Sequence, residues 1–412
     1  MNKNNGRLHV ESTQPCETQA DLAMVYTPGV GKPALAIARD AAAAYRYTAK
    51  GNLVGVVSNG TAVLGLGDIG PLAAKPVMEG KAVLFKRFAG IDAFDLELNT
   101  KDPDEFIRAV TLLEPTFGGI NLEDIAAPAC FYIETELQRR VTIPVFHDDQ
   151  HGTAIISGAA LLNALELVGK NIAHAKIVMS GAGAAGIRCA EHYIRLGAQP
   201  RNIYMCDSRG LITTARMQLD ASKKPFARSL PPADLSETLN GADVFVGVSV
   251  ANVVTPAMLK TMANHPIVFA LANPHPEIAY TLAKRARRDI LLATGRSDYP
   301  NQINNVLGFP FVFRGALDVR AQAITPNMLM AATRALANLA HQPVPRAVLK
   351  AYGLKQLKFG ADYIVPKPFD PRLVVEVSAS VAAAAMADGV ATTRVALSNY
   401  RKHLQRTYGH HL

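Results

Sequence analysis

Short apolar runs separated by helix-like segments organise the second half of this chain. Residues 242–248, 266–271 and 289–293 are near-continuous apolar runs, and residues 176–180 and 202–206 are shorter strand-like apolar segments. Runs without polar alternation predict strands covered on both faces, as in a parallel sheet. Five of them with helical segments between predict an α/β fold, a Rossmann-like doubly wound parallel sheet. The first part, to about residue 150, is also mixed α/β but differently punctuated. Residues 53–57 and 141–146 are apolar runs, residues 94–98 alternate like a half-buried strand, and residues 34–47 read as an alanine-rich helix. Asp102 is placed as an N-cap with Pro103 at the first helical position. Beyond Asn305 the pattern turns helical and proline-punctuated. The expected division is an N-terminal α/β domain over 1–150, a dinucleotide-binding domain over 151–400 whose part after about 305 packs back on the first, and a basic tail over 401–412.

The sharpest local signal is Gly181-Ala182-Gly183-Ala184-Ala185-Gly186, which follows the 176–180 strand and opens a helical segment. A second strand-like run then ends on Asp207. Strand, glycine turn, helix, strand and acid form the order of a dinucleotide-binding unit. The turn lets backbone approach a pyrophosphate, which rests on the unpaired N–H groups at the helix start. A decoy precedes it: Gly65-Leu66-Gly67-Asp68-Ile69-Gly70 also follows an apolar run. There Asp68 puts a carboxylate where a pyrophosphate would lie, and Pro76 is expected to interrupt any helix opened by Pro71. The first match reads as a structural turn, the second as the cofactor site.

At 412 residues the chain accommodates two or three buried domains. Its 49 % hydrophobic and 19 % charged residues describe a soluble globular protein. Cys16, Cys130, Cys189 and Cys206 are scattered, which argues against a disulfide framework or thiolate zinc site and fits a reducing cytoplasm. No signal peptide or membrane span is expected. The net charge of +9 suits small anionic ligands, but basic runs are not interleaved with aromatics, so no nucleic-acid partner is expected.

Two acidic knots flank the domain junction: Asn121-Leu122-Glu123-Asp124, after the glycines 118 and 119, and His147-Asp148-Asp149-Gln150-His151, after the 141–146 run. Carboxylates this close are either solvated turn caps or ligands of a hard divalent ion, and spacing alone leaves both open. Histidine suits zinc or iron better than a hard-ion site, so His147 and His151 stay outside the candidate set.

Taken in order, Tyr26-Thr27-Pro28-Gly29-Val30, Gly65-Leu66-Gly67-Asp68, Glu79-Gly80-Lys81, Asn121-Leu122-Glu123-Asp124, Asp148-Asp149-Gln150-His151-Gly152-Thr153-Ala154, Ala272-Asn273-Pro274 and Asn304-Asn305-Val306 resemble a malic enzyme of the short bacterial form over nearly the whole chain. The resemblance implies oxidative decarboxylation of L-malate to pyruvate and CO₂ with NAD or NADP and Mg²⁺ or Mn²⁺. Glu123, Asp124 and Asp149 correspond to the metal ligands, Lys81 to the general base and a substrate contact, and Tyr26 to the acid that protonates the enolate. Asn305 corresponds to a substrate-carboxylate contact and Asn273 to a cofactor contact, and a homodimer or higher homo-oligomer is implied. Taken alone, Lys81 reads as a surface lysine and Tyr26 as a core aromatic with a bonded hydroxyl; as a base, Lys81 needs burial or a neighbouring cation to lower its pKa.

Larger relatives carry a malate-gripping arginine in the strand before Gly65, where this chain has Ala62, so Asn305 or a backbone donor is left that task. The chain is also too short for the acetyltransferase-like domain that some bacterial relatives append. Asp207 favours NAD by binding a ribose 2′-hydroxyl, whereas Ser208, Arg209, Lys223 and Lys224 could accommodate a 2′-phosphate; the charge argument leans to NAD. Competing readings are a malolactic enzyme, which retains its cofactor and releases lactate, and a catalytically silent dinucleotide-binding regulator.

Overall fold

The computed structural model describes residues 6–63 and 65–409. Its first sheet contains β1 (Leu53–Ser58), β2 (Asp92–Glu97), β3 (Gly119–Leu122) and β4 (Val145–His147), all parallel, in the order β2-β1-β3-β4. Its second contains β5 (Ile177–Ser180), β6 (Ile203–Asp207), β7 (Gly210–Leu211), β8 (Val244–Gly247), β9 (Ile267–Ala270) and β10 (Leu291–Thr294), in the order β10-β9-β8-β5-β6-β7. Only the two-residue β7 is antiparallel; it is too short to leave an apolar run and adds a strand to the five read from the sequence. Ile177 pairs with both Ile203 and Val244, so strand order reverses at β5, where a doubly wound sheet opens its ligand crevice. Every residue of β1, β3, β5, β8, β9 and β10 is buried, as uninterrupted apolar runs require.

The helix Asp148–Leu167 ties the two sheets together. It begins directly after β4, buries most of its length and packs along the helix Ala184–Leu196 that follows the glycine turn. The C-terminal helices return to the first sheet. Phe309 and Phe313, on the helix Phe309–Asp318, pack edge-on against Phe85 with ring centroids 4.8 and 5.2 Å apart, and Phe313 meets Phe146 at 5.8 Å. Phe85 lies on the helix Pro71–Ala89, so this aromatic cluster fixes the helix that carries Lys81.

Two sequence expectations change. The helix from Pro71 continues through Pro76 to Ala89 rather than breaking. Pro76 sits in the second turn, and the carbonyl deprived of its donor belongs to Leu72, an exposed residue whose oxygen can turn to water. The expected helix over 34–47 divides at Asp40, whose extended backbone and carboxylate cap a short 3₁₀ turn by accepting from the Ala42 N–H. The basic tail is the end of a helix, Leu397–Tyr408, seated through buried Tyr400 and Leu404, with Lys402 and Arg406 exposed; residues 410–412 lie outside the described residues. No helix among the described residues is long and apolar enough to cross a membrane, and all four cysteines are unpaired.

Phe313→Ala should cost about 3–5 kcal/mol, because it empties a fully buried site shared by three rings. Urea unfolding checks this; a loss under about 1 kcal/mol would mean the helices collapse into the gap.

Candidate functional site

The site lies at the C-terminal edge of the first sheet, where parallel strands release their loops together. Glu123 and Asp124 follow β3, and Asp148 and Asp149 follow β4. Glu123 is fixed by its N–H to the Val57 carbonyl and by Asn121 Nδ2 donating to Oε2 at 2.8 Å. Asp124 adopts a left-handed conformation with φ 54°, a strained choice for a non-glycine residue. That turn points its N–H at Asp149 Oδ2, 2.8 Å away, and its carbonyl at the Ala62 N–H. One carboxylate oxygen each from Glu123, Asp124 and Asp149 lies within 4.8 Å of the others. Burial raises the pKa of Glu123 well above the usual carboxylate range against the pull of Lys81, with the neighbouring carboxylates adding to the rise. Burial likewise raises Asp149, opposed by Lys81 and the backbone N–H of Asp124. Closely packed anionic oxygens can be accommodated together by a bound cation. Their chemistry fits a hard divalent ion with positions left for other oxygen ligands.

Lys81 is buried, the reverse of what its residue type alone suggests. Its ammonium lies 3.0 Å from Glu123, in contact with Asp148 and 3.8 Å above the Phe309 ring. Burial pushes its pKa down, but Asp148 and Glu123 outweigh that, so the net shift is upward. Lys81 is thus a counter-ion of the acidic cluster.

Asp148, absent from the candidate set, anchors this network. Its Oδ2 also accepts from Asn305 Nδ2 at 3.0 Å, and Thr153 donates to Asn305 Oδ1 at 3.0 Å. A Cβ at residue 152 would stand 2.0 Å from Asp148 Oδ1, so Gly152 leaves the room this carboxylate occupies. Adjacency to Asp149 was the only sequence signal for it. His147 is fully buried, with its pKa driven down by burial to about 4, and His151 is engaged by Glu134 at 2.9 Å. Tyr26 lies apart: it is 68 % exposed, and its hydroxyl makes no hydrogen bond among the described residues. Its residue type alone suggested a core aromatic with a bonded hydroxyl, whereas the resemblance implied a catalytic acid.

The second glycine turn lines a cavity of about 1050 Å³ together with Asp207, Ser208, Arg209, Ser222, Lys223, Ala127 and Pro128. Gly181 has φ +112°, and a Cβ at Gly186 would sit 2.0 Å from its carbonyl oxygen, so strand and helix approach as a dinucleotide unit requires. Gly183 precedes the helix Ala184–Leu196, leaving the N–H groups of Ala184, Ala185 and Gly186 at its open N-terminus. Ala182 lines the cavity beside them. Asn273 is exposed after β9, and its carbonyl would lie 2.4 Å from a Cβ on Gly65. The decoy turn therefore packs on the dinucleotide unit, and its Asp68 pairs with Lys101.

Asp207 differs most from its sequence reading. Arg216 donates to both its oxygens at 2.8 and 2.9 Å, the Arg209 N–H to Oδ1 at 3.0 Å, and Lys223 to Oδ2 at 3.2 Å. Burial raises its pKa, but Arg216 and these other donors prevail and hold it below the usual range. Four bonds fill the acceptor sites of a carboxylate. Arg216 stands nine residues downstream, and nothing local announced it.

The chain thus combines a carboxylate cluster suited to a hard cation, a buried lysine and a glycine-turn cavity of dinucleotide-binding form. The malic enzyme N-terminal domain model matches residues 5–138 and the malic enzyme NAD binding domain model residues 150–350. The chain is 42 % identical to the crystal structure of malic enzyme from Pyrococcus horikoshii, with TM-score 0.88 over 98 % of this chain and 92 % of that one. It therefore belongs to the malic enzyme family. It is 58 % identical to the NADP-dependent malic enzyme of Salmonella typhimurium over 95 % of this chain and 52 % of that protein. It is 53 % identical to the NAD-dependent malic enzyme of Rhizobium meliloti over 94 % of this chain and 50 % of that protein. The chain thus spans about half the length of these curated relatives.

Asp149→Asn should weaken Mn²⁺ binding, measured by calorimetry, by more than the roughly 10-fold that losing an outer-shell partner costs. Unchanged affinity would reduce the three carboxylates to turn caps.

Proposed function

We propose that the protein catalyses metal-dependent oxidative decarboxylation of L-malate to pyruvate and CO₂, reducing NAD(P). The observation that carries this reading is the convergence of Glu123, Asp124 and Asp149 within 4.8 Å, with the Lys81 ammonium 3.0 Å from Glu123. In this reading those three carboxylates hold the cation, and Gly181 to Gly186 cradle the pyrophosphate with Asn273 against the cofactor. When bound, the cation stabilises negative charge on the substrate's C2 oxygen and the nicotinamide takes the hydride from C2. Lys81 loses an anionic partner once Glu123 turns to a cation, which lowers its pKa and frees it to take the C2 hydroxyl proton. Asn305 exchanges Asp148 for a substrate carboxylate oxygen, and Asp148 keeps Lys81 in place. Tyr26 returns a proton to C3 after CO₂ leaves. The proton lost from the hydroxyl balances the one gained at C3. The unpaired cysteines suit a cytoplasmic setting.

NADP is the dinucleotide we propose. The lean to NAD assumed a free Asp207 carboxylate, but its acceptor sites are filled by Arg216, Lys223 and backbone. Arg209 and Lys223 line the same cavity, which Asp220, Asp234 and Glu237 line as well. With Asp207 already saturated, those two cations support a 2′-phosphate rather than a hydroxyl seeking an acceptor.

Lys81→Ala should lower kcat by about 10²–10⁴-fold while NADPH binding, followed by nicotinamide fluorescence, stays near normal. Near-normal turnover would remove Lys81 from the mechanism. Free NADPH accumulating with malate and Mn²⁺ is expected of the wild type; lactate without net reduction would instead establish malolactic chemistry. Lys223→Glu should shift the NADP-to-NAD ratio of kcat/KM toward NAD by roughly 10–100-fold, the effect of one charge-assisted hydrogen bond. The same substitution should weaken 2′,5′-ADP binding without weakening 5′-AMP, and an unmoved ratio would reject this assignment.

A further inference from the structure

Glu277 is fully buried, and no step of the proposed reaction uses it. Its carboxylate lies across the C-terminal ends of β8 and β9, where the strand ladder stops and a doubly wound sheet opens its crevice. Oε1 accepts from the Ser249 N–H at 2.9 Å, and Oε2 from the Ala272 N–H at 3.0 Å. The backbone here is tied to the same loop: the Glu277 carbonyl accepts from the Val254 N–H at 3.0 Å, and the Pro276 carbonyl from the Asn252 N–H at 3.2 Å. Gly247 leaves the room, since a Cβ there would stand 2.3 Å from Glu277 Cδ. Burial raises the pKa of Glu277, and the Ser249 and Ala272 N–H groups oppose the rise. Its donors are backbone and a hydroxyl rather than a cation. A carboxylate kept dry in this way is costly for stability, which turns attention to what it holds.

Both groups it holds lead to the cleft. Ser249 lines the glycine-turn cavity together with Ser180. The Ser249 hydroxyl also donates to Glu277 Oε1, at 3.4 Å, which leaves Ser180 the donor in the 2.9 Å bond between the two serines. Ser180 ends β5, and the next residue, Gly181, packs so closely on the β8 loop that a Cβ would stand 2.6 Å from the Val248 carbonyl. Ala272, on the other arm, directly precedes Asn273, the proposed cofactor contact. The task is specific to glutamate. A glutamine would turn an NH₂ group toward one of the two backbone N–H donors, and an aspartate is one methylene shorter.

We infer that Glu277 is a positioning residue for the dinucleotide: one buried carboxylate sets the Ser249 loop and the Asn273 loop relative to each other, and so shapes the place of the nicotinamide half. It acts through Ser249 and Ala272 and touches no reacting atom. This rests on the reading of the glycine-turn cavity as the dinucleotide site. Asp207 and Lys223, at the end assigned to the 2′-phosphate, are held by their own bonds and make none to Glu277. Loss of Glu277 therefore falls on the nicotinamide half.

Glu277→Gln keeps the side chain's shape and leaves one buried N–H without an acceptor. It should weaken NADPH binding, followed by nicotinamide fluorescence, by about 10-fold or more, and raise the KM for NADP in parallel. Binding of 2′,5′-ADP, which lacks the nicotinamide, and the KM for malate should stay within about 2-fold. A role in stability alone would lower the melting temperature and leave the folded variant's NADPH affinity unchanged; that result, or equal losses of NADPH and 2′,5′-ADP, overturns the inference. Ser249→Ala keeps both backbone bonds to Glu277 and should weaken NADPH more mildly. Added to Glu277→Gln it should cost less than it does alone, and full additivity overturns the route through Ser249. If Glu277→Gln does not fold, Ser249→Ala decides, and unchanged NADPH binding in that variant overturns the inference. Wild-type protein that binds neither NADPH nor NADH would sink the dinucleotide reading and this inference together. Wild-type protein that binds NADPH, beside a Glu277→Gln variant that binds it equally well, sinks the inference alone.

Discussion

The buried ion network around Lys81 is the constraint on which the rest of the structure depends. One ammonium faces Glu123 and Asp148 directly, with Asp124 and Asp149 beside them. Removing so much charge from water is costly, and a lone lysine cannot neutralise four carboxylates, so the network is poor evidence for stability and strong evidence for a task. Its geometry demands that a helix and two strand ends meet to within hydrogen-bond distance. Much of the surrounding core, above all the Phe85, Phe309, Phe313 and Phe146 cluster, serves to hold that meeting.

Parallel sheets make the meeting possible. Strands that all run one way release their loops at one edge, so Ala62 after β1, Glu123 and Asp124 after β3, and Asp148 and Asp149 after β4 gather without long excursions. The helix Asp148–Leu167 then carries that edge to the dinucleotide unit, because its first turn belongs to the acidic site and its body packs on the helix beyond the second glycine turn. The acidic cluster and the glycine-turn cavity are thereby set by one rigid element.

Charge is handled in opposite ways at the two ends of this cleft. Around Lys81 carboxylates outnumber cations, which invites a metal ion. Around Asp207 two cationic side chains, Arg216 and Lys223, hold a single carboxylate and leave it no free acceptor site. The same residue type serves as ligand in one place and as an internal brace for Arg216 and Lys223 in the other. Neither role is a property of aspartate itself; both follow from how many opposite charges the fold brings within reach.

The sequence by itself determined the doubly wound sheet, the glycine turn that opens a helix and the two acidic knots, because buried parallel strands and tight turns write uninterrupted apolar runs and glycine spacings into a short stretch of chain. It also carried the family resemblance, through ordered segments that included Lys81 and Asp148. Tertiary structure alone decided that Lys81 is buried on Asp148 while Tyr26 stands exposed, that the helix survives Pro76, and that Arg216 saturates Asp207. Each of these depends on groups far apart in the chain, or on whether water can reach a single carbonyl. Local pattern records which faces are apolar; it does not record which charges the fold will press together.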